Sequence, residues 1–226
     1  MQNGVALGMP SGEPRRRRVY VDPDEVDSRL SELALRRDVL VDAVKRGLLA
    51  RLECTPNDPL TAPGYNAWQH TVRALRELSY PLGYAPNNSA NQGLVINERL
   101  ALSINIAGGD KWTGRTDGIP STRSKKGPSM ASAVRANTMS LFDDMEYPNS
   151  NRGSWLLLAY WDANQQKIQL ELSYPIAWDD ERPVDYSERI LLPDISHSDP
   201  SSSMVDPFAG EPPKTPEIKV EIKRRA

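Results

Sequence analysis

Apolar residues recur at helical spacing through the first part of the chain. Val26, Leu30, Leu33, Leu40, Val44 and Leu48 fall three, four or seven residues apart, opposite Arg29, Glu32, Arg36, Asp42 and Lys45. The pattern predicts one amphipathic helix of about 25 residues. Asp22 suits its N-cap, Pro23 its first helical position, and Glu25 stands at capping-box spacing. Gly47 is expected to kink or end it. After a Pro-rich turn, Thr55 to Pro63, a second helix is predicted over 62–79, with Trp68, Val72 and Leu75 on one face and Arg73 and Arg76 in solvent. Residues 80–93 are crowded with Gly, Pro and Asn and read as a loop.

The period then shortens to two. Leu94-Val95-Ile96 and Leu100 to Ala107 predict a hairpin, with Leu100, Leu102, Ile104 and Ile106 pointing inward. Helix, helix, hairpin is also the order of elements in a winged helix. A further helix is predicted over 129–145. Trp155–Trp161 and Lys167–Tyr174 predict a second hairpin. Its first strand is apolar on both faces and suits a central position; its second alternates Ile168, Leu170 and Leu172 with Gln169, Glu171 and Ser173. Glu188–Leu192 is expected to add a strand. The fold class read from this is α+β, with N-terminal helices packed on a mainly antiparallel sheet of hairpins.

Composition bounds the domain plan. The chain has 226 residues, 38% of them hydrophobic, with 19 prolines and a net charge of -2; its mean hydropathy is -0.56 and its pI about 5.8. We expect a disordered basic arm over 1–21 that contains Arg15, Arg16, Arg17 and Arg18. A single domain over 22–193 follows, divided into a helical part (22–80), a hairpin with a basic loop (94–128) and a helix with a hairpin (129–193). Residues 194–226 are expected to be mostly disordered, ending in an alternating stretch, 217–225, able to add to a sheet edge. No apolar run is long enough to span a membrane, and the single cysteine, Cys54, cannot form a disulfide within the chain. The expectation is a cytoplasmic protein.

Charge is uneven, and this shifts attention to Gly108–Pro128. Lys111, Arg115, Arg123, Lys125 and Lys126 stand there against Asp110 and Asp117, a net +3. Small residues in the same stretch let backbone N–H groups approach an anion, and long cationic side chains complement them. Trp112 could stack on a nucleic-acid base or plug the loop onto the core. Gly109-Asp110-Lys111-Trp112-Thr113-Gly114-Arg115-Thr116 nearly spells a P-loop. Arg115 replaces its lysine, and Asp117-Gly118-Ile119-Pro120 breaks the helix that must follow. Lys125 and Lys126 precede a helix and are the best-placed charges for phosphate. The candidate contacts with anions or nucleic acid are therefore Lys111, Trp112, Arg115, Arg123, Lys125 and Lys126, with Arg15–Arg18.

Other chemistry is poorly provided for. His70, His197 and Cys54 share no metal-ligand spacing, so no metal and no cofactor is expected. No Gly-x-Ser-x-Gly elbow exists. Cys54 and His70 could form a dyad only if brought together by the fold. Asp110 and Glu171 stand where a nuclease places its acids, but no lysine follows Glu171 at the required spacing.

The phrases Ile106-Ala107-Gly108-Gly109-Asp110-Lys111-Trp112-Thr113-Gly114, Lys126-Gly127-Pro128 and Glu188-Arg189-Ile190-Leu191-Leu192-Pro193 resemble bacterial proteins of unknown function carried on mobile elements. The resemblance spans about residues 48–226 and implies no activity and no functional residue. The leading expectation is a non-enzymatic nucleic-acid-associated or regulatory protein of a bacterial mobile or defence element. One alternative is a protein-interaction adaptor acting through the first helix or through residues 217–225. The other is an enzyme on a phosphate-bearing substrate, either a nuclease or a nucleotide hydrolase.

Overall fold

A computed structural model describes residues 17–143 and 151–196, the side chains of 139–143 excepted. Four helices, α1 (Pro23–Glu32), α2 (Arg37–Leu52), α3 (Ala62–Ser79) and α4 (Pro128–Asp143), accompany seven strands. The strands are β1 (Arg18–Tyr20), β2 (Ala85–Asn87), β3 (Leu94–Asn97), β4 (Leu102–Gly108), β5 (Gly153–Asp162), β6 (Lys167–Asp179) and β7 (Arg182–Ser196). They form one sheet in the order β1-β7-β6-β5-β4-β3-β2. The β1–β7 and β4–β5 pairs are parallel and the other four antiparallel. The fold is α+β on a mixed, mainly antiparallel sheet, not a winged helix.

The two faces of the sheet are covered differently. Trp155 and Leu157 point to one side of β5, Leu156 and Leu158 to the other, and all four are 0–1% exposed. Hence β5 is central, as its unbroken apolar run requires. On the first face Ile104, Trp155, Leu157, Leu170, Leu172 and Ile190 meet Leu30, Leu40, Val44, Val72 and Leu75 of α1–α3. On the second, Ala107, Leu156, Leu158 and Tyr186 meet Met130 of α4. Parallel neighbours cannot be joined by a tight turn. The β4–β5 crossover therefore carries the basic segment and α4 together onto this second face.

The predicted long first helix is two helices. Asp22 caps α1 as expected, accepting from the backbone N–H of Asp24 and Glu25. The helix stops at Leu33, Ala34 takes φ +52, and Leu35 N–H returns to Leu30 O at 2.8 Å. The break buries both Leu33 and Leu35, at 0% and 2% exposure, which one straight helix would set on different faces. Gly47 neither kinks nor ends α2. It marks the crossing with α3, where an added Cβ would lie 2.0 Å from Thr71 Oγ1 and 2.5 Å from Ala67 O. Arg29, expected in solvent, is 6% exposed. It reaches Glu188 Oε2 at 2.8 Å and lies over the Trp155 ring.

The ends of the domain also move. The arm expected over 1–21 reaches only to Arg17 among the described residues, because Arg18–Tyr20 pair in parallel with Glu188–Ile190. Similarly, β7 runs to Ser196, past the tail boundary at 194. Ile195 is 2% exposed, and Lys167 bonds Asp194. The stretch 80–93 is not plain loop, since Ala85–Asn87 form β2 against β3. Arg76, expected to be solvated, donates to Leu94 O and Asn87 O and ties that edge to α3. No described helix is long and apolar enough to cross a membrane.

Candidate functional site

Residues 109–127 are bolted to the sheet by two side chains of the sheet itself. Glu171, on β6, lies opposite Leu158 in the β5–β6 register and so projects onto the loop-bearing face. It is 0% exposed. Arg189, on β7, meets it with two nitrogens, Nε to Oε1 at 3.0 Å and a terminal nitrogen to Oε2 at 2.5 Å. Ser173 Oγ donates to Oε1 at 2.5 Å, and Gly114 N–H donates to Oε2 at 2.7 Å. The remaining guanidinium N–H groups of Arg189 hold the loop carbonyls of Gly118 and Arg115, each at 2.8 Å. A buried charge needs pairing and further hydrogen bonds to be tolerated, and here the loop backbone supplies them.

The resemblance to a P-loop has a geometric meaning different from nucleotide binding. Gly114 has φ +72 and approaches the neighbouring strand so closely that a Cβ would stand 3.1 Å from Gln169 Cβ. Glycine is needed there for its conformation and for contact with β6. Asp110 shapes the start of the loop, accepting from Trp112 N–H through its side chain and from Thr113 N–H through its carbonyl. Glu171, one of the two nuclease candidates, is fully engaged by Arg189, Ser173 and Gly114.

The candidate cations are dispersed. Lys125 contacts Asp180 at 2.6 Å and Glu181 at 3.3 Å, holding the β6–β7 turn, where both acidic residues have positive φ. Its hydrogen bond keeps the Asp180 carboxyl below its ordinary range. Arg115 pairs with Asp117 at 2.6 Å and depresses that carboxyl in the same way. Lys126 is half-buried, and burial lowers its ammonium below the usual lysine value. Arg123 is exposed at the end of β4, its backbone N–H on Gly108 O. Lys125 and Lys126, expected to be the best-placed charges for an anion, thus serve a salt-bridged turn and a half-buried position. Arg73 pairs with Glu77 and Arg76 holds backbone carbonyls. Both lie in the helical layer across the sheet, so they do not extend a basic face.

Trp112 takes the second of its two expected roles, plugging the loop onto the protein. It is half-buried and seated on Gly118, where an added Cβ would stand 2.3 Å from the ring. Lys111 Nζ lies 5.0 Å and Arg115 Cζ 5.6 Å from its centroid. These are cation–π distances.

The fold does make one convergence that the sequence did not suggest. Arg17, Arg18 and Val19 line a cleft of about 280 Å³ with Thr116–Ile119 and with Asp185, Tyr186 and Arg189. The arm and the loop, almost a hundred residues apart, both line this cleft, the loop through Thr116, Asp117, Gly118 and Ile119 and not through its cations. Arg17 meets Asp185 at 2.9 Å at the rim; Arg15 and Arg16 lie outside the described residues. The Tyr186 hydroxyl is buried without a hydrogen-bond partner.

The remaining candidates are settled locally. Cys54 Sγ receives an N–H from Asn66 and points to Ala50 O, so its partners are structural; His197 lies outside the described residues. Among the described residues no three His, Cys, Asp or Glu gather at metal-binding distance. The first helix offers no apolar docking stripe, because Val26 and Leu30 are 2% and 0% exposed. Residues 217–225 lie outside the described residues. Arg189, which organises the site, was missed as a functional residue: in sequence it is one arginine in an apolar strand, and its buried role depends on Glu171 two strand positions away in space. No protein-family model matches the chain, and no curated protein and no solved structure matches it either.

Proposed function

We propose that this is a non-enzymatic nucleic-acid-associated protein whose contact surface is the cleft between the arginine arm and the loop Thr116–Ile119. The observation that carries the reading is the convergence of Arg17 and Arg18 with that loop. Support comes from its rim. The Arg115–Asp117 and Arg17–Asp185 pairs are substantially exposed, and such pairs are worth only about 0–1 kcal/mol. A phosphate can therefore replace either carboxylate at little cost. Trp112, flanked by Lys111 and Arg115, offers a ring for an unstacked base, which favours single strands over duplex.

The test is fluorescence anisotropy with labelled single-stranded DNA, RNA and duplex over a salt series. Binding to the single strand should weaken with salt, with a log–log slope of about −2 to −4 for a handful of phosphate contacts. Replacing Arg15–Arg18 by alanine should make the slope shallower. Binding that is absent at low salt, or indifferent to salt, would sink the proposal.

A further inference from the structure

We infer that Arg189, Ser173 and the Gly114 N–H together form an anion receptor whose anion is supplied by the protein itself, the carboxylate of Glu171, and that its ligand class is a small planar carboxylate rather than phosphate. The carboxylate is gripped on one edge by the Arg189 guanidinium with two N–H groups. Gly114 N–H takes Oε2 at 2.7 Å and Ser173 Oγ takes Oε1 at 2.5 Å. This is a planar, bidentate receptor matched to two oxygens. A tetrahedral phosphate brings further oxygens, for which these four donors have nothing left to give, against Leu158 of β5, unpaired and costly. Glu171 is 0% exposed, so in the intact protein the receptor is filled and an outside anion has no entry. The inference does not rest on nucleic-acid contact and holds with or without it.

The experiment is chemical rescue. Glu171→Ala removes the internal anion and leaves a gap of carboxylate size beside Arg189. The variant should melt well below the parent protein. Formate or acetate should then raise its melting temperature by about 3 °C more than chloride at equal ionic strength, since a ligand that binds only the folded state stabilises it by mass action. Phosphate should gain no more over chloride in the variant than it does in the parent protein, and formate and acetate should gain nothing over chloride in the parent protein. If Glu171→Ala does not persist as a folded protein, the readout becomes its refolding yield from denaturant in formate against chloride. Greater recovery in formate supports the inference, and equal failure in both overturns it. A second arm follows the Ser173 amide, inside the receptor and away from Arg115, by NMR in the parent protein during a phosphate titration. An unmoved resonance is expected; a saturable shift would show that outside phosphate reaches the receptor and overturns the inference.

Discussion

At the scale of single residues, the Glu171–Arg189 pair decides whether the loop has a defined position. Each charge is nearly inaccessible, with side-chain exposures of 0% and 7%, and the two are paired by two hydrogen bonds. Breaking such a pair by removing one partner costs about 3–5 kcal/mol, whereas replacing both by apolar side chains can be neutral. Arg189→Met should therefore be strongly destabilising in denaturant titrations, and Arg189→Met with Glu171→Leu should regain most of the loss. The carbonyls of Arg115 and Gly118 would still lack their donor in the double variant, so the loop should exchange amide hydrogens faster even where global stability recovers. A double variant no more stable than the single would show that the pair is not the unit of stabilisation. Neither partner could be identified from sequence, because a charged residue in an alternating strand reads as solvent-facing. Here that wet face is roofed by a loop joined from a different pair of strands.

At the scale of elements, the pattern of apolar positions located nearly every helix and strand, and it erred where side-chain periodicity is silent about backbone breaks. Val26, Leu30 and Leu33 continue into Leu40, Val44 and Leu48 at heptad distance, so the stripe crosses the α1–α2 break without a sign of it. The break shows only in Ala34, a residue of high helix propensity held left-handed by packing. β1 was hidden for a different reason. Three residues beside a run of arginines carry no period, and their strand character comes wholly from the edge of β7. Gly47 could be read as a breaker only because sequence does not show that α3 crosses there. Gly47→Ala would raise helix propensity yet push a methyl group into Thr71 and the Ala67 carbonyl. It should lower stability by about 1–3 kcal/mol, the usual effect of overpacking, measured by equilibrium denaturation. A stabilised variant would mean that α2 and α3 separate freely.

The molecule as a whole is a sheet with two unlike coats, one apolar and helical, the other part helix and part charged loop. Its global pH response at the alkaline end follows from buried phenols. Burial, helped by the nearby Glu188 charge, pushes Tyr174 from 10.0 up to about 12. Burial also raises Tyr84 and, reinforced by the charge of Glu171, Tyr186. The folded state thus retains protons that the unfolded chain releases near pH 10. The stabilising contribution is present below about pH 10 and is lost as pH rises towards about 12. In a stepwise alkaline titration, the tyrosinate absorbance of these three phenols should appear together with loss of near-ultraviolet circular dichroism. Their ionisation in a still-folded protein would contradict the burial that holds their protons. The sheet's outer edges are guarded as well. Pro86 stands in β2, and Pro183 and Pro193 stand on β7 either side of the three residues that β1 covers. Prolines offer no N–H to an incoming strand.

The adjacent residues Glu188 and Arg189 address opposite sides of β7, one to Arg29 in the helical coat and the other to Glu171 under the loop. Side chains alternate along a strand, so sliding β7 by a single position turns each of its residues to the opposite side. After such a slip Glu188 would confront Glu171 inside the protein, and Arg189 would confront Arg29. Apolar neighbours such as Ile190, Leu191 and Leu192 could tolerate that error, since they are greasy on either side. Two neighbouring opposite charges cannot, and they therefore act as a two-letter alignment code for the longest strand of the sheet.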